Sequence, residues 1–226
     1  MGVDFVKFNF IDKENWSRKP YFDYYMNNIK CTYSMTANIE ITDLLMQVKR
    51  NNIKLYPILI YMTSKIVNNH EELRTSFDKE RNLGYWESMS PSFTIFHKDD
   101  ETFSNIWTEY SDDFKTFYNS CLQDIEKYSN VKKLFAKENQ PKNTFPVSCV
   151  PWFSFTGANL NVYSDGEYPY LLPIITYGKY FAQSAKALIP ISLQMHHAVC
   201  DGYHVTRFLN ELQAMAHNFK EWLIIK

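Results

Sequence analysis

The sequence is poor in the residues that mark loose or stapled chains. Six glycines and nine prolines in 226 residues leave no collagen-like repeat and no Gly-, Ser- or Pro-rich linker. With no internal repeat either, residues 1–226 are expected to form one domain. The four cysteines, Cys31, Cys121, Cys149 and Cys200, lie far apart without paired spacing, which speaks against a disulfide framework. Residues 1–7 have no apolar stretch behind a basic head, and the longest apolar segment, around residues 55–62, is too short to span a bilayer. A cytoplasmic protein with no membrane contact is expected. Twenty-four basic against 25 acidic side chains give a net charge of −1, too little to grip a polyanion, so nucleic acid is not an expected partner.

What the chain has in excess is aromatic side chains, 17% of its residues, more than a core of this size normally uses. Some of these rings are expected to line a binding site. Residues 32–41 alternate strictly, with Tyr33, Met35, Ala37, Ile39 and Ile41 on one face, as a half-buried strand requires. Pro57 suits the first turn of a helix reaching Asn69. Ser111 is expected to cap a second helix, with Asp112 and Asp113 in its first turn and an apolar stripe from Phe114 to Tyr128. Shorter runs at residues 73–77, 92–97, 152–155 and 160–163 have strand composition. Strands and helices interleave without strict alternation. The fold class that follows is α/β: a two-layer sandwich with a mixed β-sheet and helices packed on one face.

Residues 191–195 alternate again, which by parity gives His196 the polar face and His197 the apolar one. Asp201 and Gly202 then turn the chain into a helix carrying Val205, Phe208, Leu209 and Leu212 inward. A histidine in apolar surroundings tends to remain neutral, and a neutral ring nitrogen is what a general base needs near pH 7. Two plainer readings stand beside this one. His197 can be a hydrogen-bonded core residue, or His196, His197, Cys200 and His204 can be zinc ligands, although the two adjacent histidines face opposite ways.

Residues 193–209, built on His196-His197-x-x-x-Asp201-Gly202, closely resemble the signature of the trimeric, catalytic-histidine chloramphenicol acetyltransferases. The same family order is met in Trp16 and Arg18, Phe93 to His97, Glu101 and Phe103, Ser148 to Trp152, Asn159 to Val162, and Thr176 to Tyr180. The two-histidine motif also occurs in dihydrolipoyl acyltransferases and peptide-synthetase condensation domains, so the whole set carries the resemblance. It implies a CoA-dependent acyltransferase-like fold. It further implies transfer of acetyl from acetyl-CoA, a co-substrate, to the 3-hydroxyl of chloramphenicol in a ternary complex, with no metal and with resistance to the drug as the outcome.

By that resemblance His197 is the base, Ser148 donates to the oxyanion, Thr176 supports it, and Asp201 pairs with Arg18 to hold the histidine loop. Tyr25, Cys31, Tyr33, Thr94, Phe103, Phe135, Leu160 and Val162 enclose chloramphenicol, while Lys179 and Tyr180 lie near coenzyme A. Cys149 and Cys200 are bystanders. The resemblance also implies a homotrimer whose active sites lie between subunits. Ala158 stands where the family commonly has Phe, which puts the shape of the acceptor site in question. Residue chemistry alone leaves other readings open: acyl transfer to a different hydroxyl or amine, or a drug-binding protein without catalysis. Without the resemblance, Ser148 reads as an ordinary loop hydroxyl and Arg18 as a solvated surface charge.

Overall fold

The computed structural model describes residues 6–160 and 170–224. The first half contains β1 (Phe8–Phe10), α1 (Lys19–Asn27), β2 (Thr32–Glu40), α2 (Thr42–Arg50), α3 (Leu55–Asn69), β3 (Thr75–Phe77), β4 (Leu83–Trp86), β5 (Ser90–His97) and β6 (Thr102–Trp107). The second half contains α4 (Phe114–Tyr128), β7 (Thr144–Val150), β8 (Ile174–Gly178), β9 (Phe181–Gln183), β10 (Lys186–His196) and α5 (Gly202–His217). The main sheet runs β2-β10-β8-β7-β5-β6, with β9 also on β10, and a small sheet runs β1-β4-β3. The main sheet is mixed: β5–β7 and β7–β8 are parallel, and its other pairs are antiparallel. This is the expected two-layer architecture.

One face of the sheet carries Phe93, Val147, Ile175, Tyr177, Ile191 and Leu193, all buried. The helices lie there. Helix α3 is buried along most of its length, with Pro57 to Ser64, Ile66 and Val67 enclosed and Lys65 left at the surface. Its Thr63 hydroxyl meets the Tyr177 hydroxyl at 2.7 Å, satisfying two buried polar groups with one bond. The opposite face presents a row of hydroxyls, because Thr36 opposes Ser192, Ser192 opposes Thr176 and Thr176 opposes Ser148.

Several local expectations need correction. Helix α4 is capped by Asp113, whose carboxylate accepts from Thr116 N at 2.8 Å, while Ser111 Oγ only accepts from Asp113 N. Asp112 is drawn outward by Lys65 and the Tyr110 hydroxyl, so the helix begins later than Ser111. Residues 152–155 are irregular, not a strand, and residues 73–77 become strand only from Thr75 because Glu71–Leu73 is a 3-10 turn. Leu160 is also irregular, and residues 161–163 lie outside the described residues. In β2 the apolar face is buried only at its far end: Ile39 is enclosed, whereas Met35 remains 36% exposed.

Candidate active site

Strand β10 ends at His196, and the chain turns at once. Parity therefore stops one residue before His197. His196, expected on a polar face, is buried, with its Nδ1 accepting from Ala198 N at 3.1 Å. Burial, aided by the neighbouring His197, pushes its pKa down to about 4, so the ring is neutral and available as this acceptor. His197, expected to point into apolar surroundings, sits half-buried in the turn. Its ring stacks on Tyr25 at 4.1 Å and 10°, and Tyr33 leans on it at 5.1 Å. Its backbone N–H donates to Cys31 O at 2.9 Å. The ring is thus flanked by aromatics supplied from α1 and β2, which restricts its rotation.

Arg18 secures the turn from below. Its Nε donates to Ala198 O at 2.8 Å, its Nη2 to His197 O at 3.1 Å, and its Nη1 to the Asp201 carboxylate at 3.0 Å. The planar guanidinium reaches three acceptors at fixed angles, which an ammonium cannot do. Asp201 also caps α5, accepting from Tyr203 N, and its own N–H donates to His204 Nδ1. Burial works to raise the Asp201 pKa, but the hydrogen bond and charge of Arg18, with the His204 ring beside the carboxylate, outweigh it and hold the carboxyl below its ordinary value. The carboxylate therefore serves the clamp and the cap.

Ser148, Thr176 and Thr94 form a separate group. Ser148 and Thr176 are register partners on β7 and β8, both half-buried on the face opposite the helices. Thr94 follows Phe93, the residue of β5 that opposes Val147, so it reaches the same row. Phe103 opposes Phe96, and Phe135 bridges to Asn105, which opposes Thr94. Phe103, Phe135 and Leu160 are all more than half exposed, so their rings and chain line open surface. Val162 lies outside the described residues. Lys179 and Tyr180 follow β8, exposed; Lys179 N donates to Phe153 O at 3.0 Å, and Lys49 Nζ stands 5.7 Å from the Tyr180 ring centroid. Gly178 makes this exit possible, since a Cβ there would meet Pro190 Cγ at 2.7 Å.

One chain does not bring the two groups together. Ser192, in the hydroxyl row, lies four steps before His196 along β10, and at about 3.3 Å per residue that is roughly 13 Å. Ser148 lies two strands to the side as well. The backbone spacing thus sets His197 and Ser148 of the same chain well apart.

The thiols are not poised as nucleophiles. Burial pushes the Cys149 thiol up to about 11, and burial with the Glu72 charge raises that of Cys200 further. Nor do the candidate zinc ligands converge. His196 and His204 accept from backbone N–H groups, Cys200 Sγ approaches Glu72 O, and among the described residues no three His, Cys, Asp or Glu side chains are arranged to hold a metal ion. Among the same residues, no helix is long and apolar enough to cross a membrane.

The structure also adds residues that the sequence did not single out. Ser192, Gln194 and Ser34, on the hydroxyl face of β10 and β2, bond to residues 158–160. The available signal was the alternation that put Ser192 and Gln194 on a polar face: both prove buried, so something had to cover them.

Comparison with known proteins gives a consistent result. Residues 6–213 match the family model described as chloramphenicol acetyltransferase. The chain is 61% identical over 218 residues to a chloramphenicol acetyltransferase of Clostridium butyricum, covering 96% of this chain and 99% of that protein. It is 57% identical to one of Clostridium perfringens with the same coverage. To one of Staphylococcus aureus it is 43% identical, covering 96% of this chain and all of the other. A solved chloramphenicol acetyltransferase shares the fold with a TM-score of 0.85 at 21% identity, over 93% of this chain and 100% of that one. The catalytic core of a 2-oxoacid dehydrogenase complex from Thermoplasma acidophilum shares it more loosely, with a TM-score of 0.66 at 13% identity over 89% and 95% of the two chains.

Proposed function

The chain belongs to the chloramphenicol acetyltransferase family, and from that premise we propose how its residues carry acetyl from acetyl-CoA to the primary 3-hydroxyl of chloramphenicol. An alcohol attacks a thioester slowly while it keeps its proton. His197 removes that proton as the oxygen attacks the thioester carbonyl, a contribution of about 10² to 10⁴ in rate for a well-positioned base. Ser148 donates to the oxygen on which negative charge develops, and Thr176 adds a second hydroxyl to the same place. As the C–S bond breaks, the histidine returns the proton to the departing thiolate, leaving the acetyl ester and free coenzyme A. Both substrates are bound during the transfer. No acyl-enzyme is needed, in keeping with the raised pKa of Cys149 and Cys200.

The observation that carries this reading is the Arg18 clamp. Three donors of one guanidinium are devoted to a turn whose product is the half-buried His197 ring beside Tyr25 and Tyr33. Such expense on one imidazole fits a base that must be held within a fraction of an ångström.

The separation of His197 from Ser148 supports a homotrimer in which the histidine of one copy faces the hydroxyl row of another. Phe103, Phe135 and Leu160, with Tyr25, Cys31, Tyr33, Thr94 and Val162, then enclose the acceptor, and Lys179 and Tyr180 meet coenzyme A. Acetylation of the drug confers resistance, and the enzyme works in the cytoplasm, where its four free thiols suit a reducing milieu. The test is chloramphenicol-dependent release of thiol from acetyl-CoA. His197→Ala should lower kcat about a thousandfold or more with binding of the drug retained. Parent-like turnover in that variant, or no drug-dependent thiol from the parent, overturns the proposal.

A further inference from the structure

Residues 158–160 belong to no strand, yet side chains fasten three successive residues of this strap to the hydroxyl face of the sheet. Ser192 Oγ donates to Ala158 O at 2.6 Å, Ser34 Oγ to Asn159 Oδ1 at 3.1 Å, and Leu160 N donates to Gln194 Oε1 at 2.8 Å. The geometry is concerted. Ser192 and Gln194 share a face of β10, and Ser34 is the register partner of Gln194 across β2.

Burial makes these bonds obligatory. Ser192 and Gln194 are only 3% and 5% exposed, and a buried hydroxyl or amide without a partner is costly. Two of the three bonds grip backbone atoms, so they orient the peptide groups that flank Asn159. The Leu160 side chain, 60% exposed, therefore leaves the strap in a set direction on the face that carries Thr176 and Ser148. Ala158 contributes a carbonyl to the strap's seat and no ring.

We infer that Ser192, Gln194 and Ser34 are specificity-determining positioning residues: through the strap they set where the Leu160 wall of the acceptor site stands relative to the Thr176–Ser148 hydroxyls. The inference rests on the reading of Leu160 as an acceptor-site residue. Steady-state kinetics of the intact protein, with chloramphenicol and acetyl-CoA varied separately, tests it alongside thermal unfolding. Gln194→Leu should raise the KM for chloramphenicol roughly three- to tenfold, the range expected for one hydrogen bond, and leave kcat and the KM for acetyl-CoA within about twofold. Gln194→Glu, which keeps an acceptor for Leu160 N, should restore the chloramphenicol KM. Leu160→Ala should weaken chloramphenicol too, and the double variant should be no worse than Leu160→Ala alone, because the first residue acts through the second.

Equal rises in both KM values, or multiplicative effects in the double variant, overturn the inference. If Leu160→Ala weakens chloramphenicol while Gln194→Leu and Ser192→Ala do not, the strap role falls and the acceptor assignment survives. If Leu160→Ala leaves the chloramphenicol KM unchanged, it is the acceptor assignment that falls. Should Gln194→Leu fail to fold, Ser34→Ala with the same readouts decides, with about a twofold rise in the chloramphenicol KM expected and no rise overturning the role.

Discussion

His196 and His197 are chemically identical and adjacent, yet they do different work. His196 is enclosed and uses Nδ1 as an acceptor for the turn, and its pKa falls to about 4. An unfolded histidine titrates near 6.5. Between those values the unfolded chain binds more protons than the folded one, so stability rises with pH across that window. The stability is fully present above about pH 6.5 and declines as pH falls towards 4, by about 3 kcal/mol if this histidine alone is counted. Replacing it by Asn keeps an acceptor for Ala198 N and removes the titration. Denaturant unfolding of His196→Asn should therefore vary much less between pH 4 and 6.5 than that of the parent. An unchanged slope would show that other groups control the acid limb.

At the scale of elements, the clamp joins the start of α1 to the turn between β10 and α5. Arg18→Lys keeps the charge but cannot serve Ala198 O, His197 O and Asp201 at once. It should lose about 1 to 3 kcal/mol of unfolding free energy, as for hydrogen bonds made by a charged group, and kcat should fall at least tenfold. Equilibrium unfolding and initial rates on the same preparation check both. The long periodic elements were legible in advance because burial of one face dictates their spacing: β2, α3, α4 and α5 all stand within a few residues of where alternation or a 3.6-residue stripe put them. Boundaries were not, since they depend on competition among neighbours. Asp113 won the α4 cap because Lys65 and Tyr110 hold Asp112 elsewhere. Residues 152–155 have strand composition without a strand: Trp152 and Phe153 are largely exposed, with Trp152 set edge-on against Phe96 at 4.5 Å.

For the whole molecule, the decisive feature is the distance between His197 and the Ser148–Thr176 pair. If each active site takes its base from one copy and its hydroxyl pair from another, two dead variants should complement each other. His197→Ala and Ser148→Ala homo-oligomers should each be nearly inactive, Ser148→Ala by about 10² to 10³. Mixed oligomers assembled by co-expression should regain a substantial fraction of the parent rate, because some sites receive an intact residue from each chain. Rates no higher than those of the separate variants, with mixing demonstrated by mass, would place both residues in one chain's site.

The sequence by itself determined which residues are available for chemistry and the periodicities of the elements that carry them. The spacing of His196, His197 and Asp201, the alternation of β10 and the set of shared motifs follow from local order along the chain. Only tertiary structure decided that Asp201 serves Arg18, that Tyr25 lies flat against His197, and that Gln194 holds the backbone of Leu160. Those partners lie 34 to 183 residues apart along the chain, and no local pattern encodes a contact between them. They meet because burying the apolar face of the sheet against the helices brings their strands and turns together, after which most buried polar atoms find a bond where they have been placed.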